Sequence, residues 1–474
     1  MIDGGTALAR RLERYRGAMR AEQRDPAVLR TVDLATSLAD AIDGEVVHTA
    51  EGIFVRLERP IRPLPVDRER LATLPGQPPP GVPLICLDTE TTGLATAAGT
   101  AAFLIGLGWW EGDGFRQVQL LLPDHGEERA LLTAFEALVP AHGWLVTYNG
   151  RGFDWPLLTT RFRLARRAAP AHAGHLDLLP IVRRLFRHRL PDARLRTAES
   201  DLLGLHRVGD VDGWEIPGRY HAFLRGGPVE PLADVVRHND QDVRSLAWLL
   251  AHLEGRYADP GRRSEAPPGD LAGLARAFAR ERRLSEALAC LDAAADRPLD
   301  QGTRIEAPGP PVEPEGLSII GRRPAPQDEP WWSPRRPPDY GGRPRRPAEM
   351  TAAPSAPVQA PWTVERIAVD RAHLLRRLGR HAEAAEAWSA LAAGPGRVAV
   401  VALIELAKLE EHRLGNRAGA LASAQRGLGA SERRRRMGRP EPALEADLVR
   451  RIARLRRRLE RPVRRPDPRV ILGR

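Results

Sequence analysis

Cysteine is almost missing from this chain of 474 residues. Its two copies, Cys86 and Cys290, lie too far apart in sequence to build a disulfide framework or a cysteine zinc site by themselves. A reducing compartment follows, and a cytoplasmic location is the simplest expectation. Lysine is scarcer still, since Lys408 stands alone among 72 basic residues and arginine supplies the rest. Long apolar runs are missing too: no stretch approaches the roughly 18 residues of a membrane helix. The opening MIDGGTALARRLERYRGAMR has no apolar signal-peptide core. The expectation is a protein with no membrane partner.

Positive charge, glycine and proline are plentiful instead. The formal net charge is +11, which favours polyanionic partners through attraction to phosphates and counterion release. The skew to arginine, with its excess of alanine, is equally the mark of a GC-rich genome. Gly and Pro, 43 of each, predict loop-rich or unfolded segments. At roughly 100–200 residues per domain the length predicts two to four units.

Residues 1–80 read as a preamble, with an Arg-rich helix over Leu8–Arg20, a second helix over Leu34–Ile42 and a hairpin in GEVVHTAEGIFVRLERP. The breaker cluster PGQPPPGVP marks a boundary, and residues 81–258 form the next unit. There PLICLDTE is a buried-type strand, and TAAFLIGLGWWEG and FRQVQLLLP flank the turn Asp113–Gly114. Helices and strands then alternate, ending in the long helical pattern of PLADVVRHNDQDVRSLAWLLAHLEGRY. Three strands followed by alternation predict an α/β domain, a mixed sheet flanked by helices. Residues 259–300 read as a helical hairpin. Residues 301–361, rich in Pro and Arg, read as a disordered linker. Residues 362–460 are helical, and 461–474 form a basic tail. In the helical part Leu-Gly precedes an Ala-rich helix twice, at Gly379 and Gly415, with Ala384 and Ala420 in matching places. That spacing is near the period of tetratricopeptide repeats, so an all-α, TPR-like region is expected. The segment around Ala287 repeats the second helix without Leu-Gly.

Three segments carry chemistry. In ICLDTETTGL, residues two apart on a strand share a face, so Cys86, Asp88 and Glu90 point one way and Ile85, Leu87 and Thr89 the other. Two carboxylates at the end of an apolar strand repel each other and lose solvation, and a divalent cation compensates both. In TYNGRGFDWPLL, Asp154 stands where a helix begins, a position that also suits a helix cap. In VVRHNDQDVRSLAWLL, His238 and Asp242 are four apart and share one helix face, while Asp240 lies off it. Taken singly, that pair also fits a solvated helix surface.

Together the segments resemble the DEDD exonucleases of the ribonuclease H-like superfamily, through Asp88-Thr-Glu-Thr-Thr-Gly-Leu94, Asn149 with Phe153-Asp154, and His238-Asn239 with Asp242. More narrowly they resemble YprB-like ribonuclease H-like proteins, which can carry a helical-repeat tail. The likeness is good over residues 84–257 and loose beyond. It implies that Asp88, Glu90, Asp154 and Asp242 hold two Mg²⁺ or Mn²⁺ ions, and that Thr91, Gly93, Leu94, Asn149 and Phe153 contact substrate. His238 would orient or deprotonate the attacking water. One departure is clear: one DEDD class has Tyr four residues before the last Asp and the other has His five before it, whereas this chain has His at the tyrosine position. Asp177 reads as structural. Trp331-Trp332 with Arg335-Arg336 and Tyr340 could stack on a single strand but also suits a plain linker.

The function expected is metal-dependent, 3′→5′ hydrolysis of single-stranded DNA or RNA, with the Arg clusters 433–436 and 456–458 adding phosphate contacts. The alternatives are a catalytically weak nucleic-acid-binding protein, or an adaptor that binds a protein partner through its TPR-like region. An intact set of four costly acids argues against both.

Overall fold

A computed structural model describes residues 31–93, 99–297 and 363–460. The Leu8–Arg20 helix, Leu94, the 301–361 linker with its Trp-Trp-Arg segment, and the tail beyond 460 lie outside the described residues.

Helix α1 (Thr31–Ile42) leads into the hairpin β1 (Glu45–Thr49) and β2 (Gly52–Pro63), and then into β3 (Leu84–Thr91), β4 (Ala102–Glu111) and β5 (Gly114–Leu121). Next come α2 (Glu128–Leu138), β6 (Trp144–Thr147), α3 (Asp154–Leu164), β7 (Gly174–Asp177) and α4 (Leu178–Phe186). Helix α5 (Ile216–Leu224) and the 24-residue α6 (Glu230–Leu253) complete the α/β part. The all-α part consists of α7 (Pro268–Arg280), α8 (Leu284–Ala295), α9 (Val364–Arg377), α10 (His381–Ala393), α11 (Gly396–His412), α12 (Arg417–Arg436) and α13 (Pro442–Glu460).

The strands form one seven-stranded sheet in the order β1-β2-β5-β4-β3-β6-β7. Pairing is antiparallel from β1 through β3 and parallel from β3 through β7. This is the mixed sheet flanked by helices that the sequence predicts. The expected break at residue 80 is corrected, however. Strand β2 pairs with β5 over Val55–Pro63, so the hairpin is the edge of this sheet and not a separate preamble. The Pro-rich stretch carries the chain across the molecule between two strands of one sheet.

Strand β3 shows why the sheet is buried on both faces. Leu84 through Leu87 are all buried, and their alternation sends Ile85 and Leu87 into one core and Leu84 and Cys86 into another. The first core lies under α1, α2, α3 and α5, the second under α4, α6, α7 and α8. Helix α6 crosses β4 at very close range. A Cβ on Gly106 would stand 2.2 Å from Asn239 Oδ1, and one on Gly108 would stand 2.9 Å from Val243. The two glycines let α6 settle onto the strands.

The 259–300 hairpin is also not a separate unit. Leu271, Leu274, Ala275 and Phe278 of α7 sit in the same core as Leu185 and Phe186 of α4. Asp270, fully buried, accepts two 3.0 Å hydrogen bonds from Arg189 and one of 2.7 Å from the Tyr257 hydroxyl. Ile367 and Leu374 of α9 join this core, and Arg276 pairs with Asp370 at 3.0 Å.

Within the all-α part, Gly379 and Gly415 have φ of 78° and 67° and end the first helix of each pair in the left-handed region. Five residues on, Ala384 and Ala420 are fully buried where the paired helices meet. Ala287 is buried likewise, and five residues before it Arg282 takes the same left-handed turn at φ 63°. Not all the basic clusters face solvent unpaired. Arg434 and Arg435 bond Glu441 and Glu445, and Arg451, Arg454 and Arg458 converge on the buried Glu411. Among the described residues no helix is long and apolar enough to cross a membrane.

Candidate active site

The apolar half of β3 anchors the strand, and its last four residues emerge half-buried at its carboxyl end. Parallel strands open a crevice at that end, where loops and helix N-termini converge. Asp88 lies on the α6 side. Asn239, fully buried in α6, donates from Nδ2 to Asp88 Oδ2 at 2.8 Å and accepts from Gln119 Nε2 at 2.8 Å through Oδ1. This buried amide chain fixes the Asp88 carboxylate before anything binds there.

Asp154 is the first residue of α3, and no side chain caps that helix. Its carboxylate accepts from Thr89 Oγ1 at 2.6 Å, which turns it toward β3. The turn before it is held by Asp177. Asp177 accepts from the backbone N–H groups of Asn149 at 2.8 Å and Arg151 at 3.3 Å, and caps α4 through Leu179 N–H. Asn149 itself takes the left-handed conformation with φ 68°.

On α6, His238 and Asp242 face the same place. His238 Nε2 lies 3.9 Å from Glu90 Oε1 and 3.5 Å from Asp242 Oδ2. Among the described residues, the ligand atoms of Glu90, His238 and Asp242 all lie within 4.8 Å of one another.

Burial and neighbouring charge disturb the acids Asp88, Glu90 and Asp154. Burial pushes the Asp88 carboxyl well above the usual range, and the charges of Asp242, Glu90 and Asp154 add to it. Glu90 is raised in the same way, by burial and then by Asp242 and Asp154. Burial raises Asp154 to about 6, against the lowering effect of the Thr89 hydrogen bond. Clustered, desolvated carboxylates of this kind are stabilised by hard divalent cations, and an all-oxygen set suits Mg²⁺ or Mn²⁺. The donor chemistry therefore fits the metal expected.

The structure thus brings Asp88, Glu90, Asp154, Asp242 and His238 to one crevice. Thr91 ends β3, and its hydroxyl donates to the Gly93 carbonyl two residues on at 2.6 Å. Asn149 and Phe153 border the site on the α3 side, and Phe153 is 53% exposed, unusual for so large an apolar ring. Leu94 lies outside the described residues. Asp240 is turned away to Arg244 and Gln117.

Three residues here escaped the sequence reading. Arg207 is bonded to Glu199, Asp210 and Asp242, with Nε 2.7 Å from Glu199 Oε2. Glu199 is fully buried, and burial opposes the guanidinium's charge. The bonds to Glu199 and the charge of Asp242 outweigh this and raise Arg207 above its ordinary range. Asp210 Oδ1 lies 2.6 Å from His238 Nδ1. Burial acts to raise Asp210, but the His238 hydrogen bond and the charges of His238 and Arg207 leave it lowered. Glu199 opens a single π-helical turn, Glu199–Leu203, and Arg207 and Asp210 lie in the irregular stretch after left-handed Gly204, so no periodicity points to them.

The acid cluster and most of this sheet fall within a region similar to the ribonuclease H-like superfamily. Residues 85–254 match the family model RNase_H_2, of the RNase_H superfamily. The chain is also similar to the Bacillus subtilis (strain 168) protein designated "Uncharacterized protein YprB", with 39% identity over 189 residues. That alignment covers 39% of this chain and 46% of the relative, so the chain spans about half the length of the curated relative it matches.

Proposed function

We propose that this protein is a metal-dependent nuclease that removes nucleotides 3′→5′ from single-stranded DNA or RNA. The observation that carries the reading is the convergence of Asp88, Glu90, Asp154 and Asp242 at one strand end, where burial raises the carboxyls of Asp88, Glu90 and Asp154 and neighbouring acids add to the rise in Asp88 and Glu90. The four acids would hold two Mg²⁺ or Mn²⁺ ions. When bound, such ions supply an activated water and charge stabilisation at the phosphorus. Asn239 and Thr89 keep Asp88 and Asp154 aimed at the site. His238 completes it: its Nδ1 is held by Asp210, and its Nε2 faces the carboxylates. The expected part of proton acceptor and a part as nitrogen ligand draw on that same nitrogen.

The exposed Phe153 ring, the turn at Asn149 and the backbone at Thr91 and Gly93 border the crevice. There they suit stacking on a splayed base and contact with the sugar-phosphate chain. The all-α part would serve as a TPR-like surface for a protein partner, in a cytoplasmic setting. End-labelled single-stranded DNA and RNA, incubated with the full chain and Mn²⁺ or Mg²⁺, test the reading. Stepwise shortening from the 3′ end that EDTA abolishes is expected. A protein that binds the strand and leaves it intact at every metal concentration would remove the proposal.

A further inference from the structure

His238 stands apart from the acids in how it is held. Asp210 Oδ1 lies 2.6 Å from His238 Nδ1, and Asp210 in turn is held by Arg207 Nη1 at 3.2 Å. Arg207 Nη1 also lies 3.3 Å from His238 Nδ1, but a guanidinium only donates and the Asp210 carboxylate only accepts. The shorter contact decides which nitrogen faces Asp210 as donor: Nδ1 carries a proton and donates to Asp210, so in the neutral ring that a metal requires the lone pair is on Nε2.

That lone pair points at oxygens. Asp242 Oδ2 at 3.5 Å and Glu90 Oε1 at 3.9 Å are both beyond hydrogen-bond distance. With the ring neutral, these three electron-rich atoms face one another and repel. The spacing instead suits a shared cation, because two ligands at about 2.1 Å from one ion stand about 3–4 Å apart. Asp242 is divided between the two tasks. Its Oδ1 takes the Arg207 hydrogen bond, and its Oδ2 faces His238. A carboxylate on the far nitrogen of a ligating histidine is the arrangement that fixes ring orientation and raises ligand basicity at protein metal sites.

We propose that His238, with Glu90 and Asp242, is a direct nitrogen ligand of one divalent cation, and that Asp210 is the positioning residue that fixes it. One imidazole among carboxylates shifts the preference of this position from Mg²⁺ toward Mn²⁺ and later first-row ions. The inference deepens the nuclease reading and depends on it only for what the ion does, since ligation is read without substrate.

The test uses the full chain, stripped with EDTA and loaded with Mn²⁺ alone. Electron spin echo envelope modulation then reports nitrogen bound to the ion. The expected spectrum has ¹⁴N modulation of the imidazole type, which His238→Ala loses and the remote surface change His48→Ala keeps. Mn²⁺ affinity falls at least about tenfold in His238→Ala, within the range for losing an outer-shell or direct partner, while Mg²⁺ affinity moves less than about threefold. Asp210→Asn keeps the modulation and weakens Mn²⁺ about tenfold. Absence of ¹⁴N modulation in the wild type, its persistence in His238→Ala, or failure of Mn²⁺ to bind overturns the assignment. Should His238→Ala not fold, the wild-type spectrum and His238→Gln decide the matter. Nitrogen coupling without strand cleavage removes the nuclease reading and leaves the ligand in place; cleavage without nitrogen coupling does the reverse.

Discussion

At the scale of single residues, the site is a collection of carboxylates that folding pushes together against their mutual repulsion. Asp88 illustrates the cost, for burial and three neighbouring acids all raise its carboxyl. Asp88→Asn is expected to abolish Mn²⁺-dependent cleavage and leave the fold intact. The effect on stability has a definite sign. A carboxyl raised in the folded state binds protons there more tightly than in the unfolded chain, so stability without metal falls as pH rises through that interval. For Asp154 the interval runs from about 4, the ordinary carboxyl value, to about 6, and Asp88 and Glu90 contribute over pH above their own ordinary values. In EDTA the wild type should melt lower at pH 8 than at pH 5, and Asp88→Asn should narrow that gap. Thermal melts at the two pH values check this, and an equal gap in both proteins would count against mutual repulsion at the site. Asp88 with Glu90, and His238 with Asp242, were legible as pairs because strand and helix periodicity puts each pair on one face, whereas Asp154 joined them only through the family resemblance. Arg207 and Asp210 were not legible, because an irregular loop carries them and only its folding places Asp210 on His238, and Glu199 was not, because it sits in a single π-helical turn.

At the scale of elements, the helical pairs show one turn solved twice with glycine and once without. Gly379, Gly415 and Arg282 each take positive φ five residues before a buried alanine. A left-handed conformation costs a residue with a Cβ roughly 1–2 kcal/mol, and glycine returns about 0.5–1 of that as added freedom in the unfolded chain. Arg282 is exposed, so its side chain contributes little packing. Arg282→Gly is therefore expected to stabilise the protein by about 0.5–1 kcal/mol, read as a rise in the urea midpoint. A loss of stability would mean that the arginine makes up its backbone cost elsewhere. The repeat around Ala287 was visible in sequence, but its turn was not, since Arg gives no sign of left-handed backbone.

At the scale of the whole molecule, the breakers in the chain do not mark its joints. A chain cut at Pro260 would strip α7 and α8 from the sheet and leave Leu185, Phe186 and Tyr257 without the side chains that cover them. Each large apolar side chain fully returned to water costs about 1.5–3 kcal/mol, so uncovering Leu185, Phe186 and Tyr257 costs up to about 4.5–9 kcal/mol, comparable with the roughly 5–15 kcal/mol margin of an ordinary domain. Residues 1–258 should accordingly aggregate or melt without cooperativity, whereas residues 1–297 should keep a cooperative transition. Gel filtration and far-ultraviolet melts of the two chains decide it. A soluble, cooperatively folded 1–258 would show that the helices are an appendage after all.

The sequence by itself determined the class of sheet, the pair of acids at the end of β3 and the His238–Asp242 pair on α6, because alternation and helical spacing are local properties of the chain. It also determined the helical pairs, through the recurrence of Leu-Gly and alanine. Tertiary structure alone decided that the N-terminal hairpin is the sheet's edge, since pairing of β2 with β5 joins segments some sixty residues apart. It alone decided that α7 closes the second core and that Gly106 and Gly108 bring α6 down onto the strands. Contacts of that kind depend on which surfaces remain uncovered when the local elements have formed, and no short pattern of residues records them.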